Sequence, residues 1–276
     1  MPLLSIGEIF GFPVDASSQS AKKAWVTKPC PFRGNAPCTK ASRSDPLGIC
    51  SFSEGNRLTT VCPFRFLENG SLFRDAGRLV FGTGARIVAV PEIRILHIPG
   101  KKRKKIGKVD HLIARETPSG GLEDFAAIEV QSVYISGASV RGAFHRFLDT
   151  GMLPSDAKRR PDFRSSAQKR LMPQLSLKVP VFRRWGKKFF VAVDRTFFSA
   201  LPDFRRANSF VNSEVTWLVY PFSRTSERKP YHIGEPEVVF SEWGDLQDAL
   251  REGVPPSPQE ILDEIAARPD ALRFTV

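Results

Sequence analysis

Two carboxylates and a carboxamide stand at a spacing suited to a hard cation: Asp110 in Lys108-Val109-Asp110, then Glu129 and Gln131 in Ile128-Glu129-Val130-Gln131. Between them, Thr117-Pro118-Ser119-Gly120-Gly121 is dense in turn formers, which predicts a β-hairpin with one carboxylate on each arm. An even-numbered loop centred on Ser119 and Gly120 sets Asp110 directly opposite Glu129, with Cβ atoms about 5 Å apart. Gln131 follows Glu129 by two positions and shares its face. Two carboxylates that close repel each other, and one pKa rises unless a cation lies between them. Oxygen ligands suit Mg2+, which keeps several waters and completes its shell from a substrate phosphate. Such an ion acidifies water, polarises a phosphoryl oxygen and stabilises the leaving alkoxide. That is phosphodiester hydrolysis. Gln131 does not titrate, so its expected part is to orient the attacking water or a phosphate oxygen. The competing reading is a solvated hairpin face with an acidic pair by chance. Against it, Glu129 sits in Ala126-Ala127-Ile128-Glu129-Val130, a run with the composition of a buried strand, where an unpaired Glu needs a reason.

The elements that must position this trio read as strands alternating with helices. Extended runs are predicted at residues 87–90, 93–98, 109–114 and 125–135, with a basic hairpin tip at 101–105. Further buried strands are expected at 189–193, 217–220 and 238–240. Residues 67–79 carry Leu67, Leu72, Phe73, Ala76 and Leu79 near helical spacing. Ser139 is placed to cap a helix whose apolar face is Val140, Phe144, Phe147 and Leu148, with Arg141 and Arg146 elsewhere. A basic linker is expected over 158–170 and a helix over 241–251. The last helix is well marked: Ser257-Pro258-Gln259-Glu260 gives a cap, a first-turn Pro and a capping-box Glu, and Pro269 ends it. The fold class is α/β.

Cys30, Cys38, Cys50 and Cys62 all lie in the first quarter, separated by seven, eleven and eleven residues, in a segment rich in Pro, Gly, Ser and Asn. The CxxC knuckle of most zinc sites is absent, so two readings stand: four buried, inert thiols, or a tetrahedral thiolate site for zinc or iron. Such a segment needs a staple. The expected organisation is a four-cysteine metal-binding module over 1–66 and a second domain over 67–276.

Forty-one Lys and Arg against 29 Asp and Glu leave a formal charge of +12. In a soluble protein that favours a polyanionic partner, because neutralised phosphates release condensed counterions. The start has Glu8, no basic n-region and no cleavage signature, and no run reaches the roughly 20 apolar residues that span a bilayer. A cytoplasmic protein with reduced cysteines and no membrane partner is the expectation. Candidate DNA contacts are Lys101, Lys102, Arg103, Lys104 and Lys105 at the hairpin tip, Arg141, a block of Arg159, Arg160, Arg164, Lys169 and Arg170, and Arg183 with Arg184 beside Trp185. His97, His111, His145 and His232 lack metal-ligand spacing and read as structural or surface residues.

Asp followed by Glu-x-Gln on the next strand resembles the PD-(D/E)xK nuclease core, with glutamine at the lysine position. The NotI-type restriction endonucleases carry that replacement together with an N-terminal four-cysteine iron site. Their local stretches are similar to Phe10-Gly11, Cys30-Pro31-Phe32, Cys38-Thr39-Lys40, Gly48-Ile49-Cys50, Val61-Cys62-Pro63 with Arg65, and Ile128-Glu129-Val130-Gln131. A fainter similarity runs through 217–220 and 246–251. The resemblance implies a restriction-endonuclease-like mixed sheet flanked by helices. It implies a type II restriction endonuclease, Asp110 and Glu129 as Mg2+ ligands, Gln131 as the lysine substitute, and structural iron on the four cysteines. It also implies a homodimer acting on a GC-rich palindrome in double-stranded DNA, with a companion methyltransferase for the same site. Val109 precedes Asp110 where the superfamily's proline would stand. Rival readings are a non-catalytic duplex-binding protein and a nuclease of repair or phage defence without sequence specificity.

Overall fold

In the computed structural model, residues 4–40, 42, 44–55, 57–98, 105–137, 139–152, 159–251, 256–270, 272 and 274 are described. The N-terminal part comprises β1 (Ser5–Ile9), β2 (Phe12–Pro13), helix α1 (Gln19–Thr27), β3 (Pro29–Cys30), β4 (Ala36–Pro37), β5 (Ile49–Glu54) and β6 (Arg57–Thr60). Strands β2, β1, β5 and β6 form an antiparallel sheet in that order. The segment therefore has regular structure that its short apolar runs concealed. A distorted 3-10 segment, Pro63–Gly70, leads into α2 (Ser71–Phe81). The helix expected over 67–79 is thus two pieces, broken where Asn69 takes a left-handed φ of 51°.

The main sheet follows with β7 (Ile87–His97), β8 (Lys105–Glu116) and β9 (Leu122–Val130). A single continuous strand was predicted over 125–135, but the chain leaves the sheet after Val130. Residues of β10 (Tyr134–Ser136) instead pair with β11 (Arg160–Asp162) in a separate two-stranded ribbon. Helix α3 (Arg141–Thr150) lies between them; its cap residue is Val140, and Ser139 Oγ accepts from the Arg141 N–H at 3.3 Å. The basic stretch expected as a linker is structured: β11, the short α4 (Phe163–Ser165) and a π-helical turn, Ser166–Leu171, run straight into α5 (Met172–Arg184). Pro173 in its first turn and Pro180 inside it masked α5 in the sequence.

The chain closes with β12 (Phe189–Asp194), α6 (Arg195–Phe198), β13 (Val215–Tyr220), β14 (Phe222–Ser223), β15 (His232–Ile233), β16 (Glu237–Ser241), α7 (Trp243–Arg251) and α8 (Pro258–Ala267). The six-stranded mixed sheet runs β16-β13-β12-β9-β8-β7. Pairs β9–β12 and β12–β13 are parallel, and the others antiparallel. Every residue of β12 and β13 is buried, as parallel strands covered on both faces must be. One face packs Leu175, Val179 and Phe182 of α5 and Leu246 and Leu250 of α7; the other packs Leu72 and Ala76 of α2. Phe144 and Phe147 of α3 join Ile6, Ile9, Phe10 and Phe52 in a third cluster. The N-terminal sheet therefore shares its core with a helix beyond the expected boundary at residue 66.

Candidate active site and cysteine cluster

The hairpin register pairs His111 with Ile128, Leu112 with Ala127 and Ile113 with Ala126. One further step sets Asp110 against Glu129. There the carboxylates are fixed by the opposing backbone: Asp110 N–H donates to Glu129 Oε1 at 3.2 Å, and Val130 N–H donates to Asp110 Oδ2 at 3.0 Å. Side-chain alternation breaks at this point. Val109 belongs to the core under α5, whereas His111 meets the Phe73 ring at 5.1 Å and Ile113 belongs to the core under α2. Residues two or four apart on a regular strand share a face, so β8 switches face around Asp110. Across from Asp110 on β7, Glu92 has a left-handed φ of 59°, an uncommon backbone for a non-glycine residue.

Glu129 is only 2% exposed because Ala126, Ala127 and Ile128 carry the strand through the centre of the sheet. Burial, then the charge of Asp110, pushes its carboxyl up to about 7, against the pull of Lys178 and the Asp110 N–H. Lys178 of α5 donates to Glu129 Oε1 at 2.6 Å. Gln131 is buried but turned aside, its Nε2 donating to the Ser132 carbonyl at 2.6 Å. Asp110 and His111 open onto a cleft of about 880 Å³, whose other wall is Arg33, Thr39, Pro63 and Phe64 of the N-terminal part. Asp110 thus faces the cysteine-bearing segment, while Glu129 reaches back toward α5.

The four cysteines are buried and free of disulfides. Two hairpins deliver them. Cys30 and Cys38 flank the β3–β4 turn, where the Cys38 N–H bonds the Lys28 carbonyl at 3.0 Å. Cys50 on β5 and Cys62 after β6 meet where the Cys62 N–H bonds the Cys50 carbonyl at 3.3 Å. The spacings of seven and eleven residues are therefore hairpin lengths. Gly48 at φ 62° is required beside Cys50, since a Cβ there would stand 2.2 Å from the Phe10 ring. The thiols feel one another. Burial, then Cys62, pushes Cys30 up to about 11; burial, Cys62 and Glu8 raise Cys50; burial raises Cys62 against the charge of Lys40. Backbone N–H groups point at the sulfurs, as from Lys40 to Cys38 Sγ at 3.5 Å. Buried thiols with backbone N–H donors are the chemistry of a tetrahedral thiolate site. Among the described residues, however, no three Cys, His, Asp or Glu side chains stand arranged to hold a metal. Arg65, next to this cluster, is fully buried and structural: it pairs with Glu8 at 3.1 Å and Glu68 at 2.5 Å, between the Phe32 and Phe222 rings.

The family model for the restriction endonuclease NotI matches residues 14–233, from the N-terminal sheet through the central strands to β15. The chain belongs to the NotI restriction endonuclease family. Membership makes it a type II site-specific deoxyribonuclease, with double-stranded DNA as substrate. No curated protein matches the chain.

The basic residues singled out in the sequence of this NotI-family enzyme are scattered. Lys101, Lys102, Arg103 and Lys104 lie outside the described residues, and Lys105 opens β8. Arg141 is tied to Asp45, which also holds Lys28 at 3.3 Å. Arg183 and Arg184 end α5 shortly before β12, near Glu214, which accepts from Arg183 Nε at 2.8 Å. None of these described residues lines the Asp110 cleft; Arg33 does, its guanidinium 4.7 Å from the Phe64 ring. Sequence reasoning missed Arg33, Glu92 and Lys178. The one available signal was a lysine at 178 among Leu171, Leu175, Val179 and Phe182, which recur at helical spacing. Among the described residues, no helix is long and apolar enough to cross a membrane.

Proposed function

We propose that this NotI-family endonuclease hydrolyses both strands of a palindromic duplex with Mg2+ held by Asp110 and Glu129. The observation that carries the reading is the pairing of those carboxylates across β8 and β9, each fixed by a backbone N–H of the other strand. Like charges that influence one another across paired strands favour a shared cation. Asp110 and Glu129 would hold the ion, whose chemistry is to acidify water and stabilise charge on the phosphate. Asp110 is the partner open to the cleft, and Glu129 the one shielded from water by the sheet. Gln131 would turn from the Ser132 carbonyl to orient water or a phosphate oxygen. Arg33 across the cleft supplies a phosphate contact, since a guanidinium there meets DNA entering from the N-terminal side. Cys30, Cys38, Cys50 and Cys62 would hold iron, or zinc, as a structural ion that shapes the wall carrying Arg33. By the resemblance noted above, the site read is GC-rich, the enzyme a homodimer, and a companion methyltransferase guards the same sequence.

Incubation of the purified enzyme with plasmid and Mg2+ tests this. Discrete bands are expected, lost by at least about a hundredfold in Asp110→Asn and Glu129→Gln, with duplex binding retained. Intact DNA under all divalent ions, or unimpaired cutting by either variant, overturns the site assignment.

A further inference from the structure

A lysine stands where a hydrophobic side chain would be the default. Lys178 of α5 is 2% exposed, between Leu175, Val179 and Phe182, which form the layer over the central sheet. Lysines are almost never buried this deeply unless paired. Its Nζ donates to Glu129 Oε1 at 2.6 Å and to Gln174 Oε1 at 2.8 Å. Those bonds use two of the three donors of an ammonium. The strand brings two acidic groups together at Asp110 and Glu129, and Gln131 has no charge to offset them. The helix does: Lys178 is the cation in direct contact with Glu129.

Stability explains why Glu129, once buried, needs a partner, but not why the pair is there at all. Replacing a buried ion pair by well-packed apolar groups is often neutral or stabilising, and a methionine is long enough to follow the same path. The local backbone is also unusual. A π-helical turn precedes α5, and Pro180 follows Lys178 by two residues; π-helical turns are frequent at functional sites, and a proline bends the helix it interrupts.

We infer that Lys178 is a positioning residue of the nuclease site: it holds Glu129 toward Asp110 and supplies, from a helix, the positive charge absent from position 131. This rests on Asp110 and Glu129 being the site of cleavage. Position 131 lies two residues beyond Glu129, buried, with its backbone N–H on the Ala192 carbonyl of β12 at 3.0 Å, so a longer side chain placed there has the reach to bring an ammonium to the same carboxylate.

The test is a three-variant comparison in the full chain. Lys178→Met should lower kcat about a hundredfold or more, with KM and duplex affinity, measured with Ca2+ by fluorescence anisotropy, within about threefold. The double variant Lys178→Met with Gln131→Lys should recover at least tenfold of that loss, which a lysine needed only for packing would not allow. Asp110→Asn serves as the control. Near-normal kcat in Lys178→Met with an inactive Asp110→Asn overturns the inference and leaves the site intact; an active Asp110→Asn removes the site itself. If Lys178→Met does not fold, the double variant decides: cutting supports the inference, and a folded, DNA-binding but inactive protein overturns it. Failure of both to fold makes Lys178 a folding residue and likewise overturns it.

Discussion

Buried charge is concentrated at a few residues, and each is held by a partner distant in sequence. Glu129 meets Asp110 and Lys178; Arg65 meets Glu8 and Glu68; Asp194 meets the backbone of Thr60 and Phe197. Asp194 is fully enclosed, its Oδ1 accepting from the Phe197 N–H at 2.7 Å and its Oδ2 from the Thr60 N–H at 2.9 Å. It thus caps α6 and pins β6 to the main sheet. Burial pushes its carboxyl up to about 6 against those bonds. The folded protein therefore holds a proton that the unfolded chain releases near the usual value of about 3.9. Between about pH 4 and 6 the native state binds more protons, so this residue's contribution to stability falls as pH rises through that window and is level above it. Asp194→Asn should remove that slope, which urea unfolding at pH 4.5, 5.5 and 6.5 would register as a difference from wild type. Asn keeps one oxygen for the Phe197 N–H but turns an amide donor toward the buried Thr60 N–H, which should cost about 1–3 kcal/mol throughout. An unchanged slope would mean that the carboxyl is already ionised across the window.

At the scale of elements, the readable ones were those with local signals. Helix α8 has its capping box as expected, Ser257 Oγ accepting from the Glu260 N–H at 3.2 Å and Glu260 accepting from the Ser257 N–H at 2.6 Å. The apolar face of α3 packs as its spacing predicted, with Phe144 and Phe147 buried. Strands β12, β13 and β16 fall on the predicted runs to within two residues. The hairpin β8–β9 carries the predicted register around Asp110, although a bulge sits between Arg115 and Glu116 near the turn. Helix α5 was hidden because two prolines outweigh its apolar repeat in any local reading. The cysteine hairpins were hidden because strands of two residues, such as β3 and β4, have no periodicity to detect. If these hairpins enclose an ion, elemental analysis should find about one iron or zinc per chain. Cys38→Ser should lose it along with thermal stability, because the ion's binding energy is part of the folding energy. A wild type that is metal-free and fully folded would return the cysteines to inert core residues.

For the whole molecule, the N-terminal part and the six-stranded sheet are parts of one structure, joined through Phe144, Phe147 and Asp194, and the cleft bearing Asp110 lies where they face each other. A formal charge of +12 suits a DNA substrate, and binding should weaken steeply with salt as counterion release loses its advantage. On the proposed reading of a palindromic site, with its two equivalent scissile phosphates, two copies of this chain should act together. Sedimentation of the enzyme with a cognate duplex should give a two-to-one complex; a stable one-to-one complex that cuts both strands would contradict the dimer.

The sequence by itself determined the α/β class, the family through its cysteine and Glu-x-Gln stretches, and the opposition of Asp110 to Glu129. These are local: one turn and an antiparallel register suffice to relate positions 19 apart, whereas the change of face in β8 around Asp110 was not legible. Only the tertiary structure decided that Lys178 reaches Glu129, that Arg33 faces Asp110 across a cleft, and that two hairpins carry the four buried cysteines. Those relations join segments whose approach is set by packing between layers, and nothing in the neighbouring residues of either partner encodes it.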